Sequence, residues 1–135
     1  MAKGTAKVVH IEIPADDTTR GRKFWSELFG VEFQSYDGPT EYHMFQNDDE
    51  QSGGGMMPRQ EGQEGIVVYF NTDDMDATLE KVRELGGSVE AEKMPVPGMG
   101  WFAPVRDPEG NRFSFWQSDE NAPVPAGMES GQASA

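Results

Sequence analysis

Residues 9–33, VHIEIPADDTTRGRKFWSELFGVEF, are repeated in outline by residues 66–90, IVVYFNTDDMDATLEKVRELGGSVE. The two stretches align without a gap at a constant offset of 57 residues. The matched positions are Val9 with Ile66, Ile11 with Val68, Ile13 with Phe70, Asp16 with Asp73, Asp17 with Asp74, Leu28 with Leu85, and Gly30 with Gly87. Self-similarity of this kind predicts two equivalent structural modules within one chain.

Each copy of the repeat predicts a strand, an acidic helix cap and a helix that ends at glycine. In the first copy, Asp16 or Asp17 can cap a helix over residues 18–29, and Gly30 can end it. The second copy has the same features at Asp73 or Asp74, residues 75–85, and Gly86 and Gly87. The predicted apolar faces are Phe24, Trp25, Leu28 and Phe29 in the first helix, and Met75, Leu79, Val82 and Leu85 in the second.

Short strand-like runs, separated by turn residues, follow each predicted helix. They are residues 31–36, 41–46 and 54–58 after the first helix, and 88–93, 100–105 and 111–117 after the second. The order β-α-β-β-β therefore occurs twice, which predicts an α+β fold. The loops 47–53 and 94–100 are predicted to form mobile rims, and residue His43 is predicted to lie on the surface of an edge strand.

The composition excludes several classes of function. The chain has 135 residues, no cysteine, and 24 acidic against 11 basic residues, for a net charge of −13. This charge disfavours nucleic acid and anionic membranes as partners, and the missing cysteines exclude thiolate chemistry. The acidity is consistent either with a salty cytoplasm or with an ordinary acidic protein kept soluble by its charge. A cytoplasmic location is expected, because no signal sequence or membrane span is evident.

The repeat, the helix end FWSELFG (residues 24–30), the LGG at 85–87 and the run DPEGNRFSFWQ at 107–117 together resemble the vicinal oxygen chelate superfamily. This superfamily includes glyoxalase I, bleomycin-resistance proteins and extradiol dioxygenases. The resemblance implies two β-α-β-β-β modules that form a half-open curled sheet around a small-molecule cavity. It also implies a homodimer, with the cavity within one chain or across the interface.

The expected boundaries follow from the resemblance and from the turn residues. They are a flexible N-terminus over 1–6, a single domain over 7–118 with modules 7–60 and 64–118, and a disordered tail over 119–135.

The resemblance implies a divalent metal held by one ligand from the first strand and one from the last strand of each module. His10 matches the first position. The other positions carry GGGMMP (residues 53–58), Val67 and Ser114, which offer no comparable donor set. A four-ligand metal is therefore disfavoured, and no cofactor is predicted.

Alternation along the strands predicts which side chains face the cavity. His10 and Glu12 are the candidate catalytic residues, because a histidine beside a carboxylate can handle protons. A hydrogen bond from His10 to Glu12 or to a neighbouring strand, without any contact to substrate, is an equally open interpretation. The predicted pocket wall consists of Met56, Met57, Val67, Tyr69, Arg112, Ser114 and Trp116.

Two functions of different classes follow. The first is a lyase, isomerase or epimerase that acts on an oxygenated small metabolite without the four-ligand metal. The second is a protein of the bleomycin-resistance type, which sequesters an aromatic or planar ligand and catalyses nothing.

Overall fold

A computed structural model describes residues 4–36 and 40–124 of the chain. Within these residues the structure has two helices and nine strands, in the predicted order except for one additional strand in the second module. They are β1 (Val8–Ala15), α1 (Thr18–Phe29), β2 (Gln34–Tyr36), β3 (Tyr42–Gln46), β4 (Gly53–Pro58), β5 (Val67–Asn71), α2 (Met75–Glu84), β6 (Ser88–Val89), β7 (Met94–Val96), β8 (Gly100–Arg106) and β9 (Arg112–Ser118). The α+β class with two β-α-β-β-β modules is confirmed.

The chain divides into two compact units that correspond to the two modules. The first unit is Val8–Val68, and the second is formed by the described residues from Tyr69 onward together with residues 4–7. In the first unit the strand order is β2-β3-β4-β1, and in the second it is β6-β8-β9-β5, with β7 also paired to β8. The first and last strands of each module are parallel neighbours, β1 with β4 and β5 with β9. The repeat in the sequence is therefore a repeat of topology.

Aspartate caps begin both helices. The Asp17 side chain accepts a hydrogen bond from the backbone N–H of Arg20, and the Asp74 side chain accepts one from the N–H of Ala77, both at 3.0 Å. Gly30 adopts a left-handed conformation after α1, at φ 76°, where a side chain would be strained. The sequence left open whether the first or the second aspartate of each pair caps the helix, and in both helices it is the second, Asp17 and Asp74.

Each unit has its own apolar core on the helix side of its sheet. The first core contains Ile13, Phe45 and Met56, with Ile11, Ala15, Trp25, Val31 and Phe33 packed against them. The second contains Met75, Leu79, Ala103 and Val105, with Val82, Val89, Trp101, Phe113 and Phe115 around them. The opposite face of each sheet lies away from these cores.

Of the four residues predicted to form the apolar face of α1, Trp25 packs against the first core and the other three do not. Phe24, Leu28 and Phe29 are each about 60% exposed. The helix instead meets the sheet at Gly21, where an added Cβ would lie 2.7 Å from Met56 Sδ. Trp25, one turn further on, continues this line of contact. The close approach that glycine permits turns Phe24 and Leu28 outward.

The second helix agrees with its predicted stripe except at the end. Met75 and Leu79 are buried and Val82 packs beside them, but Leu85 is 69% exposed because the helix ends at Glu84. No helix in the described ranges is long and apolar enough to cross a membrane.

The segment after α2 differs from the prediction. The expected strand 88–93 is shortened to Ser88–Val89, and the expected loop 94–100 contains β7. Met94–Val96 folds back on β8 through a turn closed by a 2.9 Å hydrogen bond from the Met99 N–H to the Val96 carbonyl. Backbone pairing thus holds part of the expected rim loop in place.

The ordered chain continues past the expected end of the domain at residue 118. The Asp119 N–H donates to the Met99 carbonyl, and the Ala122 carbonyl accepts from the Gly98 N–H. Ala122 is buried, so the first residues of the expected tail pack against the β7–β8 turn. Residues 125–135 and 1–3, on which the rest of the expected tail and part of the N-terminus fall, lie outside the described residues.

Candidate functional site

Strand β1 presents two polar side chains on the sheet face opposite the first core. Ile11 and Ile13 point to the core, and the strand period of two places His10 and Glu12 on the other face. The side chains of His10 and Glu12 are 21% and 17% exposed. They are therefore largely withdrawn from water while remaining accessible from one side.

A third residue, Tyr42 on β3, completes a hydrogen-bonded cluster with this pair. The Tyr42 hydroxyl lies 2.6 Å from Glu12 Oε2 and 3.0 Å from His10 Nε2. His10 Nε2 is also 3.2 Å from Glu12 Oε2. The three polar atoms thus form a triangle, which we call the His10–Glu12–Tyr42 cluster.

The proton positions in this cluster follow from its donors and acceptors. An ionised carboxylate only accepts hydrogen bonds, so the Tyr42 hydroxyl donates its single proton to Glu12. The hydroxyl oxygen can then only accept from His10, which requires a proton on Nε2 of the imidazole. The single Nε2 proton of His10 is thus shared between the Tyr42 hydroxyl oxygen and Glu12 Oε2, and Glu12 Oε2 also accepts from the Tyr42 hydroxyl.

The glycine run on β4 creates the space for Tyr42. Gly55 is paired with Glu12 on β1, and a Cβ added to Gly55 would lie 1.9 Å from the Tyr42 hydroxyl. Any side chain at this position would have to displace the phenol. From the sequence, GGGMMP (residues 53–58) was interpreted as a strand without a polar side chain. In the structure, the Tyr42 phenol occupies the space where a side chain of residue 55 would lie.

The two methionines after the glycines have different positions. Met56 is completely buried in the first core on the helix side, beside Gly21 of α1. It cannot line a pocket on the opposite face, so its predicted role is corrected. Met57 is half-buried and alternates with Met56, which places it on the face of the cluster.

Most of the predicted pocket residues of the second unit lie on the same face of its sheet. Tyr69 is paired with Ser114, which is 3% exposed, and Asn71 is paired with Trp116. The Tyr69 ring lies 6.4 Å from the ring of Phe102, which is itself paired with Trp116. This face is aromatic, in contrast to the polar cluster of the first unit.

The remaining predicted residues are Val67 and Arg112. Val67 begins β5 and is half-buried. Arg112 is 40% exposed, and its Nε lies 3.4 Å from Glu90 Oε2. Glu90 also pairs with Arg106 at 2.6 Å, so Arg112 belongs to a surface ion-pair group.

His43 was predicted to be a surface residue and is instead buried. It lies on the helix side of β3, where its Nδ1 is 2.7 Å from Ser35 Oγ and its Nε2 is 2.6 Å from Glu41 Oε2. Hydrogen bonds from Thr18 and from His43 lower the pKa of the Glu41 carboxyl. The prediction failed because β3 is an interior strand, paired with both β2 and β4, and its inner face carries His43 and Phe45.

Tyr42 is the functional candidate that the sequence reasoning missed. A usable signal was present in EYHMFQ (residues 41–46), where alternation places His43 and Phe45 on one face and Tyr42 and Met44 on the other. The orientation of β3 could not be fixed from this pattern alone, because both faces carry aromatic and polar side chains.

Comparisons with known proteins support the resemblance. Residues 7–115 match the Glyoxalase/Bleomycin resistance protein/Dioxygenase superfamily. The chain is 32% identical over 117 residues to the "Putative glyoxylase CFP32" of Mycobacterium tuberculosis, which covers 84% of this chain and 45% of that protein. It thus spans about half the length of this relative. Over 51 residues, 38% of this chain and 18% of the relative, it is 43% identical to the anthracycline biosynthesis protein DnrV of Streptomyces peucetius.

A solved structure supports the fold. The methylmalonyl-CoA epimerase of Mycobacterium tuberculosis superposes with a TM-score of 0.68 at 14% identity, covering 100% of this chain and 97% of that one. At this identity the likeness concerns the fold alone. The family match extends over both β-α-β-β-β modules. The chain therefore belongs to the Glyoxalase/Bleomycin resistance protein/Dioxygenase superfamily.

Proposed function

We propose that this protein is a small-molecule enzyme of the isomerase or lyase type that moves a proton at a carbon beside a carbonyl group. The observation that carries the proposal is the His10–Glu12–Tyr42 cluster. It places a carboxylate and two hydrogen-bond donors within 3.2 Å of one another on a half-buried sheet face. A base and adjacent donors are the groups that enolate chemistry requires.

The cluster suggests a division of roles. Glu12 takes the proton from the substrate carbon, and the electron pair of the C–H bond moves onto the carbonyl oxygen. Protonation neutralises the Glu12 carboxylate, to which the Tyr42 O–H and the His10 N–H donate hydrogen bonds before the reaction. Both donors then become available to the enolate oxygen. Return of the proton to the opposite face of this carbon gives an isomerase. Departure of a group from the neighbouring carbon with its bonding electron pair, as the carbonyl re-forms and the proton on Glu12 passes to that group, gives a lyase.

We further propose that this chemistry proceeds without the four-ligand metal that the family resemblance implies. Of the four ligand positions that the resemblance implies, His10 keeps a nitrogen donor, whereas the strand GGGMMP (residues 53–58) and Val67 have no nitrogen or oxygen side chain. Ser114 at the last position offers only a hydroxyl. In the ranges 4–36 and 40–124 no three His, Asp or Glu side chains are grouped so as to hold a metal ion. This donor set does not fit a divalent ion, which needs several convergent nitrogen and oxygen ligands.

Elemental analysis, with titration of Ni, Zn, Mn and Fe, tests the metal claim. We expect substoichiometric metal in the purified protein and no binding that depends on His10. Stoichiometric binding that is lost in His10→Ala would overturn the claim. Gly65→Ala serves as the control, because an added Cβ there meets nothing within 4 Å.

A thermal-shift screen of small hydroxy- and oxo-carbonyl metabolites tests the enzymatic proposal, since a ligand of the native state raises the melting temperature. Compounds that bind are then followed for conversion by NMR. We expect at least one to bind and to be converted by the wild type, with conversion lost in Glu12→Gln. Conversion that persists in Glu12→Gln contradicts the assigned role.

The second candidate function is non-catalytic binding of a planar aromatic ligand. The aromatic sheet face of the second unit, with Tyr69, Phe102 and Trp116, favours it. The name of the relative DnrV, which refers to anthracycline biosynthesis, is consistent with a planar ligand. A screened compound that binds tightly but is never converted supports this function against the enzymatic one.

A further inference from the structure

A second polar cluster of the first unit lies apart from the His10–Glu12–Tyr42 cluster. Strand register places it on the opposite face of β3, because Ser35 is paired with His43, one residue after Tyr42. Ser35 Oγ is 2.7 Å from His43 Nδ1, and His43 Nε2 is 2.6 Å from Glu41 Oε2. A hydroxyl, an imidazole and a carboxylate are therefore linked in series, as in an activated nucleophile.

The proton positions in this series are determined by Glu41. Hydrogen bonds from Thr18 and His43 lower the pKa of this carboxyl, so Glu41 is ionised near neutral pH and can only accept. Nε2 of His43 must then carry a proton that it donates to Glu41. In the neutral imidazole Nδ1 is consequently an acceptor, and the Ser35 hydroxyl donates its proton to it.

Burial differs along the series in the direction that a nucleophile requires. The His43 side chain is 8% exposed, while Ser35 lies on the exposed edge strand β2. The base is thus held in a fixed orientation away from water, while the residue that carries the hydroxyl is exposed. No residue of this series takes part in the function proposed above.

We propose that Ser35 is an activated nucleophile that takes up an acyl or phosphonyl group from a small activated ester or fluorophosphonate. Ser35 Oγ forms the new bond to the electrophilic carbon or phosphorus, and its proton passes to His43 Nδ1. The bond to the leaving group breaks, and the leaving group departs with that proton. Glu41 stabilises the imidazolium between these two transfers. The product is a stable covalent adduct of one group per chain.

The test is covalent labelling of the full chain with a fluorophosphonate at neutral pH, followed by peptide mass mapping. Ser88 is the internal control, since it is exposed on a strand of the second unit. We expect Ser35 to be labelled at least about 100-fold faster than Ser88, the usual scale of general-base assistance. Label on Ser35 should be absent in Ser35→Ala and unchanged in Ser88→Ala.

Two further variants test the role of the base. His43→Gln should slow labelling of Ser35 by at least about 100-fold. Because His43 is buried and this variant could fail to fold, Glu41→Gln provides a second route at a half-exposed position. It should slow the reaction by about tenfold or more in a protein with an unchanged circular dichroism spectrum. Labelling of Ser35 no faster than Ser88, or equal in wild type and Glu41→Gln, would overturn the proposal.

Discussion

Tyr42 reaches the carboxylate of Glu12 because Gly55 has no side chain. The phenol lies over the glycine, and the nearest atoms to an added Cβ are the Tyr42 hydroxyl at 1.9 Å and Cζ at 2.2 Å. One missing methyl group on β4 therefore decides whether β3 can contribute to a site on β1. Glycine is important here for the space it leaves rather than for a special backbone angle.

Gly55→Ala tests this relation directly. The added methyl must displace the Tyr42 ring, and overpacking of this kind costs about 1–3 kcal/mol. We expect this loss in the free energy of unfolding, measured by urea denaturation. Gly65→Ala is the matched control and should change stability by less than about 0.5 kcal/mol. Equal stability of both variants would mean that Tyr42 does not lie where the structure places it.

The hydrogen bonds to Glu41 lead to a prediction for how the stability of the fold depends on pH. Its pKa in the folded state lies below the ordinary value of 4.5 because Thr18 and then His43 donate hydrogen bonds to it. A lowered pKa stabilises the folded state at pH values above 4.5, and this contribution is lost as the pH falls through the lowered pKa. Glu41→Gln should therefore lose stability at pH 7, and the loss should become smaller as the pH falls below 4.5.

Thermal melts of wild type and Glu41→Gln between pH 3 and pH 7 measure this effect. Glu61→Gln, at an exposed position in the loop after β4, is the matched substitution. A difference between wild type and Glu41→Gln that grows as the pH falls contradicts the assigned hydrogen bonds.

The two helices show how the same sequence pattern leads to different packing. Both have an aspartate cap and an apolar stripe, yet α2 buries Met75 and Leu79 whereas α1 buries no residue completely. The difference arises at Gly21, which allows α1 to approach the sheet along a line that avoids Phe24 and Leu28. Periodicity predicts that a helix is amphipathic. A glycine that allows close approach to the sheet can nevertheless change which side of the helix is buried.

A matched pair of leucines tests the orientation of the helices. Leu79 is 2% exposed and Leu28 is 59% exposed. Leu79→Ala should cost about 2–5 kcal/mol in the free energy of unfolding, because it removes buried methyl groups and leaves a cavity. Leu28→Ala should cost less than about 1 kcal/mol. Similar losses in both variants would show that α1 is packed through its predicted apolar face.

At the scale of the whole molecule, the sequence repeat predicted the order of helices and strands because both copies have an aspartate cap before the helix and a glycine after it. Asp17 and Asp74 cap the helices, and the first and last strands of each module are parallel neighbours. Local chemistry determines the caps, so they can be predicted from one chain, whereas the parallel pairing joins strands that are far apart in sequence and was not predicted. The additional strand β7 was not predicted, since its pairing with β8 depends on a turn with no apolar alternation.

The candidate site was less accessible to prediction for a physical reason. His10 and Glu12 lie on one strand, so alternation alone placed them together. Tyr42 is 30 residues away from Glu12 in sequence, and its contact depends on strand register and on the space above Gly55. Met56 was misplaced by one position in a strand, which exchanges the two faces of the sheet.

The expected homodimer remains a prediction that rests on the family resemblance. Sedimentation equilibrium of the full chain measures it. We expect a mass twice that of one chain, independent of concentration in the micromolar range. A mass equal to one chain would contradict this expectation and would place the ligand cavity within a single chain.

The central claim is that Glu12, assisted by His10 and Tyr42, moves a carbon-bound proton without a metal ion. Exchange of substrate carbon-bound hydrogen for deuterium in D₂O, followed by NMR in the presence of a chelator, tests it most directly. The substrate is a compound selected by the thermal-shift screen. We predict exchange by the wild type and by Gly65→Ala, and a loss of at least about 100-fold in Glu12→Gln. Exchange that stops when the chelator is added, or that is equal in wild type and Glu12→Gln, would contradict the claim.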